Sequence, residues 1–403
     1  MQAAARGVED AGRRLKERSD KMEVRMLQRE EHGRTRELWE RVFAEDTKEF
    51  LDYYYTVKTL DNEMYVIEQE HQICSMIQLN PYEMRINDSE FLTHYIIAVA
   101  TEERFRKRGF MGALLQASLK KMYARKEPFT FLMPAAESIY HPYDFRYIYR
   151  QRGGKVCGSK ERSVSHELRG NIYEMREASE KDCRKLAEFA EEILRQSYQV
   201  VAVRTEQYYR RMLAEQKSEY GGIGMIEKNG KLVGSFFFAK EETYEIREPL
   251  LKKGEEEALP QAVFWLTKGN EAIFCDGWNL DVHNIKKSVT EERDRPLIMA
   301  RLLYLPGFFE SLRPRTTFSF IVEVTDPILE ENNRRFLLES DGTKIAVSTA
   351  AKENDTDRQI SIAALTQILF GWAPYTEEKL PEVLQKDLNK IEPADGVFLN
   401  EIV

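Results

Sequence analysis

Along the first third of the chain the apolar positions change period in a definite order. Leu38, Trp39, Val42 and Phe43 share one face of a helix expected over Glu30–Phe43, and a second helix is expected over Lys48–Lys58. Met64–Glu68 and Ile73–Leu79 are apolar runs of strand length, and the polar Gln69–Gln72 between them suits a hairpin turn. Phe91–Ala100 reads as another strand, which runs straight into a basic loop containing a glycine. The period turns helical again over 110–125, with Leu115, Leu119 and Met122 at i, i+4 and i+7. Phe129–Met133 is a further strand, ended by Pro134. Helices, antiparallel strands, then strand–loop–helix–strand make a mixed α/β pattern, an α+β arrangement with mixed sheets.

Around Gly153–Gly154 the pattern breaks, and a second unit is expected from about Ile172. It has helices over Glu180–Gln196 and Thr205–Gln216. Strands Ile223–Glu227 and Leu232–Phe238 follow, joined by Asn229-Gly230, a strong hairpin signal. Helices leading into such a strand pair repeat the order around Tyr65–Ile77, the mark of a degenerate internal duplication. The last third begins near Arg295-Pro296. It predicts a helix over Leu297–Leu305 and strands over Phe318–Val324, Arg335–Leu338 and Lys344–Ser348. A helix over Ile360–Phe370 stops at Gly371, and another over Glu377–Leu388 has Pro381 in its first turns. The chain closes on Gly396-Val-Phe-Leu-Asn-Glu-Ile-Val403. Free ends are usually polar and mobile, so this apolar tail is expected to be docked.

Length bounds the organisation: 403 residues suit two or three domains. Hydrophobic residues at 42% and charged residues at 32% are a soluble globular balance. The net charge of −8 argues against general nucleic-acid or anionic-membrane binding and is compatible with a cationic substrate. Cys74, Cys157, Cys183 and Cys275 are widely spaced, which argues against a zinc site or a disulfide framework and for a reducing, cytoplasmic setting. No apolar stretch reaches the roughly 18–20 residues of a membrane span. Met1–Lys21 lacks the apolar centre of a signal peptide and reads as an extension, either solvated or a partner-binding arm.

The most informative stretch is Val99-Ala-Thr-Glu-Glu-Arg-Phe-Arg-Lys-Arg-Gly109-Phe-Met-Gly112. A strand ends, Arg104, Arg106, Lys107 and Arg108 follow, and a helix starts directly after Gly109. Unpaired N–H groups at a helix start and the helix dipole favour an anion such as a pyrophosphate. Glycine lets the backbone come close, and the basic side chains add charge-assisted contacts. A basic turn on a solvated face is the plainer reading, because a single glycine loop is a weak motif.

Arg106-x-x-Gly109 resembles the acetyl-CoA signature of the GNAT superfamily, R/Q-x-x-G-x-G/A, with Met111 at the second small position and Gly112 one residue late. Leu79-Asn-Pro-Tyr82, Val99–Thr101, Arg108-Gly-Phe-Met111, Phe131-Leu-Met-Pro-Ala135 and Ile139-Tyr140 together resemble the Eis-type acetyltransferases, the "enhanced intracellular survival" family. The resemblance implies tandem GNAT-like domains followed by a sterol-carrier-protein-like domain. On this sequence that places an extension at 1–22, a catalytic GNAT domain at 23–165, a degenerate GNAT-like domain at 166–292 and the sterol-carrier-like domain at 293–403.

It also implies residues. Val99, Ala100 and Thr101 match the strand that holds the pantetheine arm, and Lys107, Arg108, Gly109, Phe110, Met111 and Gly112 match the pyrophosphate loop. Ala135 and Ala136 match a further acetyl-CoA contact, here through the backbone. Tyr140 and Phe145 fit the Y-x-x-x-G-F/Y pattern, with Asp144 in place of the glycine, so Tyr140 is expected to be the general acid that protonates the leaving thiolate. Taken without the family, so aromatic a segment is core packing, and His141 is a local rival as acid or base. In this family the base is the C-terminal carboxylate, here that of Val403; packing of the tail alone is the alternative.

The expected reaction is direct acetyl transfer from acetyl-CoA to an amine, with no metal. The expected partner is a small-molecule amine, aminoglycoside-like or otherwise cationic, drawn by Glu137, Asp144 and Glu401. Neither nucleic acid nor membrane is expected, and a homo-oligomer, a hexamer in the family, is implied. A peptide-lysine acetyltransferase and a non-catalytic acyl-CoA- or lipid-binding protein are the competing functions.

Overall fold

A computed structural model describes residues 23–159, 173–240, 243–275, 285, 287–351, 356–372 and 379–400. It divides into two compact units. One comprises the described residues up to Pro81 with His94–Glu127; the other comprises Tyr82–Thr93 with the described residues from Pro128 onward.

In the first unit β1 (Val24–Met26) pairs antiparallel with β2 (Glu63–Gln69), β2 with β3 (Gln72–Ile86), and β4 (Ser89–Thr101) lies next to β3. Left-handed Glu70 and His71 close the β2–β3 hairpin where the polar run placed it. Helices Arg36–Val42 and Lys48–Thr56 bury Trp39 and Tyr54, whose rings sit 4.6 Å apart, and the Trp39 indole N–H donates to Asp46 at 2.6 Å. Thr47 caps the second helix by accepting from the Phe50 N–H at 3.1 Å. Helix Phe110–Ala124 buries Leu115, Leu119 and Met122, the stripe read from the sequence. Each such side chain contributes roughly 1.5–3 kcal/mol of burial.

Besides Tyr82–Thr93, the second unit contains β5 (Phe129–Leu132) and β6 (Arg146–Cys157). It continues through β7 (Tyr173–Glu177), β8 (Val200–Ala202), β9 (Gly222–Lys228), β10 (Lys231–Lys240), β11 (Tyr244–Leu251), β12 (Glu271–Cys275) and β13 (Val289–Leu302). Its sheet runs β5-β13-β6-β12-β11-β10-β9-β7. Asn229 and Gly230, both left-handed, make the β9–β10 hairpin as expected. Alternate residues of β10 serve opposite cores: Phe236 and Phe238 pack with helix Ala258–Thr267, Phe237 with helices Cys183–Ser197 and Glu206–Ser218. Apart from β8, inserted between the first two helices, residues 173–275 repeat the strand–helix–helix–hairpin–strand–helix–strand order of residues 24–132.

Two expectations are corrected. The helix over Leu297–Leu305 is instead the end of β13, and the helix proper is Leu305–Ser311. Strand β13 lies between β5 and β6, and Leu297 through Leu302 are all buried. A strand covered on both faces has no alternation, so its apolar run looks like a helix. Nor does the pattern break at Gly153–Gly154, for both lie inside β6. A Cβ on Gly153 would come within 2.3 Å of the Phe274 carbonyl oxygen on β12, so glycine permits close strand approach there.

The chain ends in a four-stranded sheet and its helices. After β14 (Arg313–Pro314) come β15 (Thr317–Thr325), β16 (Arg335–Asp341), β17 (Ile345–Ala350) and β18 (Gln359–Ser361), in the order β17-β16-β15-β18. Ser361 caps helix Ile362–Leu369, and left-handed Gly371 follows it. The next helix starts only at Glu382, after Pro381, while the Glu377 start expected from the sequence lies outside the described residues. Strand β19 (Ile391–Glu392) pairs β14. Finally β20 (Val397–Phe398) runs parallel to β8, and buried Phe398 packs 4.9 Å from the Tyr198 ring. As far as Asn400 the tail is docked, with Val397, Phe398 and Leu399 buried; Ile402 and Val403 lie outside the described residues. Among the described residues no helix is long and apolar enough to cross a membrane.

Candidate active site

In the first unit, β4 leads into the basic loop. Ala98 takes a left-handed φ of 50° and interrupts the strand just before Val99. Ser75 then fixes the strand end, its Oγ donating to the Ala100 carbonyl at 3.0 Å and lying 2.7 Å from the Thr101 hydroxyl. Arg106 Nε donates to the Thr101 carbonyl at 3.2 Å. Lys107 (φ 60°) and Gly109 (φ 87°) turn the chain into helix Phe110–Ala124. Gly109 at the N-cap supplies no side-chain oxygen, and the first turn holds no acid. The N–H groups of Phe110, Met111 and Gly112 therefore lack a side-chain cap at the positive end of a 15-residue helix.

The guanidiniums of Arg104 and Arg108 lie 4.8 and 5.0 Å from the Phe105 ring, which itself stacks on Phe110. Lys107 and Arg108 have no acidic partner among the described residues. This arrangement can take an anion such as a pyrophosphate. Val99–Thr101 close the strand and Lys107–Gly112 open the helix, tied together by the Arg106 bond to the Thr101 carbonyl.

In the second unit, exposed Ala135 and Ala136 precede a one-turn helix, Glu137–Tyr140. A 3₁₀ turn over His141–Tyr143 follows, then left-handed Asp144 (φ 63°). Aspartate tolerates that conformation better than most residues, which accounts for its standing where the pattern has glycine. Tyr140 is 7% exposed and packs edge-on to Phe145. Burial pushes its phenol up to about 12, so it holds its proton at neutral pH and can donate it. Burial likewise raises the Asp144 carboxyl.

Two arginines hold this turn. Arg146 Nη1 donates to the carbonyls of His141 (3.1 Å) and Phe145 (2.9 Å). Arg301, on β13 and fully buried, donates through Nε to the Tyr143 carbonyl at 2.9 Å and through Nη2 to Asp326 Oδ1 at 2.6 Å. The same Nη2 is 3.9 Å from Asp144 Oδ2. Asp326 also accepts from the Ile328 and Leu329 N–H groups and from Asn332 Nδ2. Sequence reasoning missed Arg301 and Asp326. The signal was a lone arginine in the apolar run Leu297–Leu303, where a charge needs a partner. Val403 and Glu401 lie outside the described residues.

Residues 23–148 match the acetyltransferase (GNAT) domain family, and residues 305–402 match the sterol carrier protein domain family. No curated protein matches the sequence significantly. The fold is similar to that of a conserved protein of unknown function from Enterococcus faecalis V583, a probable N-acyltransferase (16% identity, TM-score 0.74, covering 93% of this chain and 94% of that one). A GCN5-related N-acetyltransferase from Anabaena variabilis matches at 15% identity and TM-score 0.71 over 94% and 98% of the two chains. Eis1 from Mycobacterium abscessus matches at 14% identity and TM-score 0.61 over 92% and 93%. The chain is therefore an enzyme built on an N-terminal GNAT acetyltransferase domain, with a sterol-carrier-protein-like domain at its C-terminal end.

Proposed function

We propose that the protein is an acetyl-CoA-dependent N-acetyltransferase of the Eis type, moving an acetyl group directly onto the amine of a cationic small molecule. The observation that carries this reading is the uncapped helix start at Gly109 behind a basic loop. GNAT domains generally use acetyl-CoA, and the likeness to Eis1 supports the narrower assignment. Lys107, Arg108 and the N–H groups of Gly109–Gly112 hold the pyrophosphate, Val99–Thr101 the pantetheine arm, and Ala135 and Ala136 add backbone contacts.

The amine nitrogen attacks the thioester carbonyl carbon and the C–S bond of the tetrahedral intermediate breaks. The departing thiolate takes the Tyr140 proton. The attacking amine loses its proton to the carboxylate of Val403, the role the resemblance gives that group. Binding both substrates together supplies proximity, and N–H groups near Val99–Thr101 polarise the carbonyl. No step requires a metal. The segments 23–165, 166–292 and 293–403 serve as catalytic, supporting and closing domains behind the extension at 1–22, in a cytoplasmic homohexamer.

Thiol release from acetyl-CoA against aminoglycosides, polyamines and lysine peptides tests the reading. Turnover of a cationic small molecule, reduced roughly 100-fold or more in Tyr140→Phe, is expected. Turnover of peptides alone would replace the substrate assignment, and an unimpaired Tyr140→Phe enzyme would remove Tyr140 as the acid.

A further inference from the structure

The Tyr140 turn is held from a distance in sequence. Its 3₁₀ segment ends at the Tyr143 carbonyl, and the hydrogen bond that carbonyl accepts at 2.9 Å comes from Arg301, on a strand more than 150 residues later. Arg301 is fully buried, so its charge depends on Asp326, equally buried, at 2.6 Å. Asp326 is in turn fixed by the Ile328 and Leu329 N–H groups at 2.9 Å and by Asn332 Nδ2 at 3.0 Å. Asn332 also donates to the Leu303 carbonyl at 2.9 Å, tying the loop after β15 to the end of β13. The fork of Arg301 therefore has one prong on the turn that carries Tyr140 and another on the sterol-carrier-like domain. Asp144, the residue that departs from the glycine of the pattern, brings its carboxylate to 3.9 Å from the same guanidinium.

We propose that Arg301 and Asp326 are positioning residues for Tyr140, through which the sterol-carrier-like domain sets the geometry of the proton donor. Neither acts on the reacting atoms. Arginine is required because only its planar fork spans a carbonyl and a carboxylate at once; a lysine keeps the charge and loses one prong. This rests on the reading of Tyr140 as general acid, and it assigns the C-terminal domain a task other than carrying a lipid.

The test uses the full-length chain with Arg301→Lys and Asp326→Asn, each first shown to be folded by circular dichroism and thermal melting. Steady-state kinetics and the ¹³Cζ tyrosine signals are then compared with wild type, the Tyr140 signal being the one lost in Tyr140→Phe. In both variants kcat should fall roughly 10- to 100-fold with the acetyl-CoA KM nearly unchanged, as for a displaced catalytic group. The Tyr140 signal should shift while that of Tyr209, buried against Phe237 between β10 and its helices, stays in place. Folded variants with an unmoved Tyr140 signal overturn the proposal. A moved signal with unchanged kcat instead upholds the positioning and removes Tyr140 as acid. Should Asp326→Asn fail to fold, Arg301→Lys, which leaves no buried charge unpaired, decides alone.

Discussion

Residues 24–132 and 173–275 pass through the same succession of elements apart from β8, which the second inserts between its first two helices, and in both a left-handed residue lies within the strand before the third helix. It is Ala98 (φ 50°) in β4 and Glu248 (φ 48°) in β11. From there the two part. The first continues through Arg104, Arg106, Lys107 and Arg108 to an uncapped helix start. The second continues through Lys252-Lys253-Gly254-Glu255-Glu256-Glu257. Its buried Glu256 accepts from the Gly254 N–H at 3.1 Å, Lys228 holds Glu255 at 2.7 and 2.8 Å, and Lys252 is taken up by Glu192 at 2.8 Å. The Glu248 carboxylate itself accepts a bidentate pair from Arg204 at 3.1 and 2.9 Å and a contact from Asn400. The first segment leaves Lys107 and Arg108 without an acidic partner among the described residues, whereas in the second the Gly254 N–H and Lys252 are taken up by carboxylates and the Ala258 and Leu259 N–H groups by the Glu255 and Glu256 carbonyls. With Glu255, Glu256 and Glu257 in its loop, the second segment would offer an incoming pyrophosphate like charge, where the proposed site of the first offers Lys107 and Arg108.

The largest effect that would break this comparison falls in the second copy. Glu248→Gln strands the buried Arg204 charge and should cost about 3–5 kcal/mol in urea unfolding. An unchanged midpoint would mean that the pair is not structural. Next comes a matched experiment on the two loops. Lys107→Ala with Arg108→Ala should raise the acetyl-CoA KM tenfold or more, at about 1.5–3 kcal/mol per charge-assisted contact. Lys252→Ala with Lys253→Ala should leave it unchanged, and equal effects from both pairs would erase the distinction.

The smallest effect is a pH dependence. The Tyr140 phenol moves from 10.0 to about 12 on folding, so its neutral form is favoured by the native state. Its contribution is complete below pH 10 and is lost as the pH rises from 10 to about 12, where the unfolded chain ionises first. Tyr140→Phe should therefore lose less stability than wild type over that window and show the same slope below it, checked by urea midpoints along a pH series.

Much of the fold was legible because its helices and hairpins are amphipathic or carry turn residues. The stripe through Leu115, Leu119 and Met122 and the Asn229-Gly230 turn each answer to one local rule. Strand β13 was not, because a strand buried on both faces carries no period. Gly153 misled for a related reason, since its close neighbour is a carbonyl of β12, more than 100 residues away. The loop Lys107–Gly112 was readable because its chemistry is contiguous. Arg301 and Asp326 were not, because their partners meet only after three segments distant in sequence have folded.

If the loop Lys107–Gly112 is the proposed anion site and the loop Lys252–Glu257 is not one, CoA must distinguish them. Calorimetric titration of the full-length chain with CoA tests it most directly. A single site per chain is expected, abolished by Lys107→Glu with Arg108→Glu and untouched by Lys252→Glu with Lys253→Glu. Two sites per chain, or one that survives reversal of Lys107 and Arg108, would contradict it.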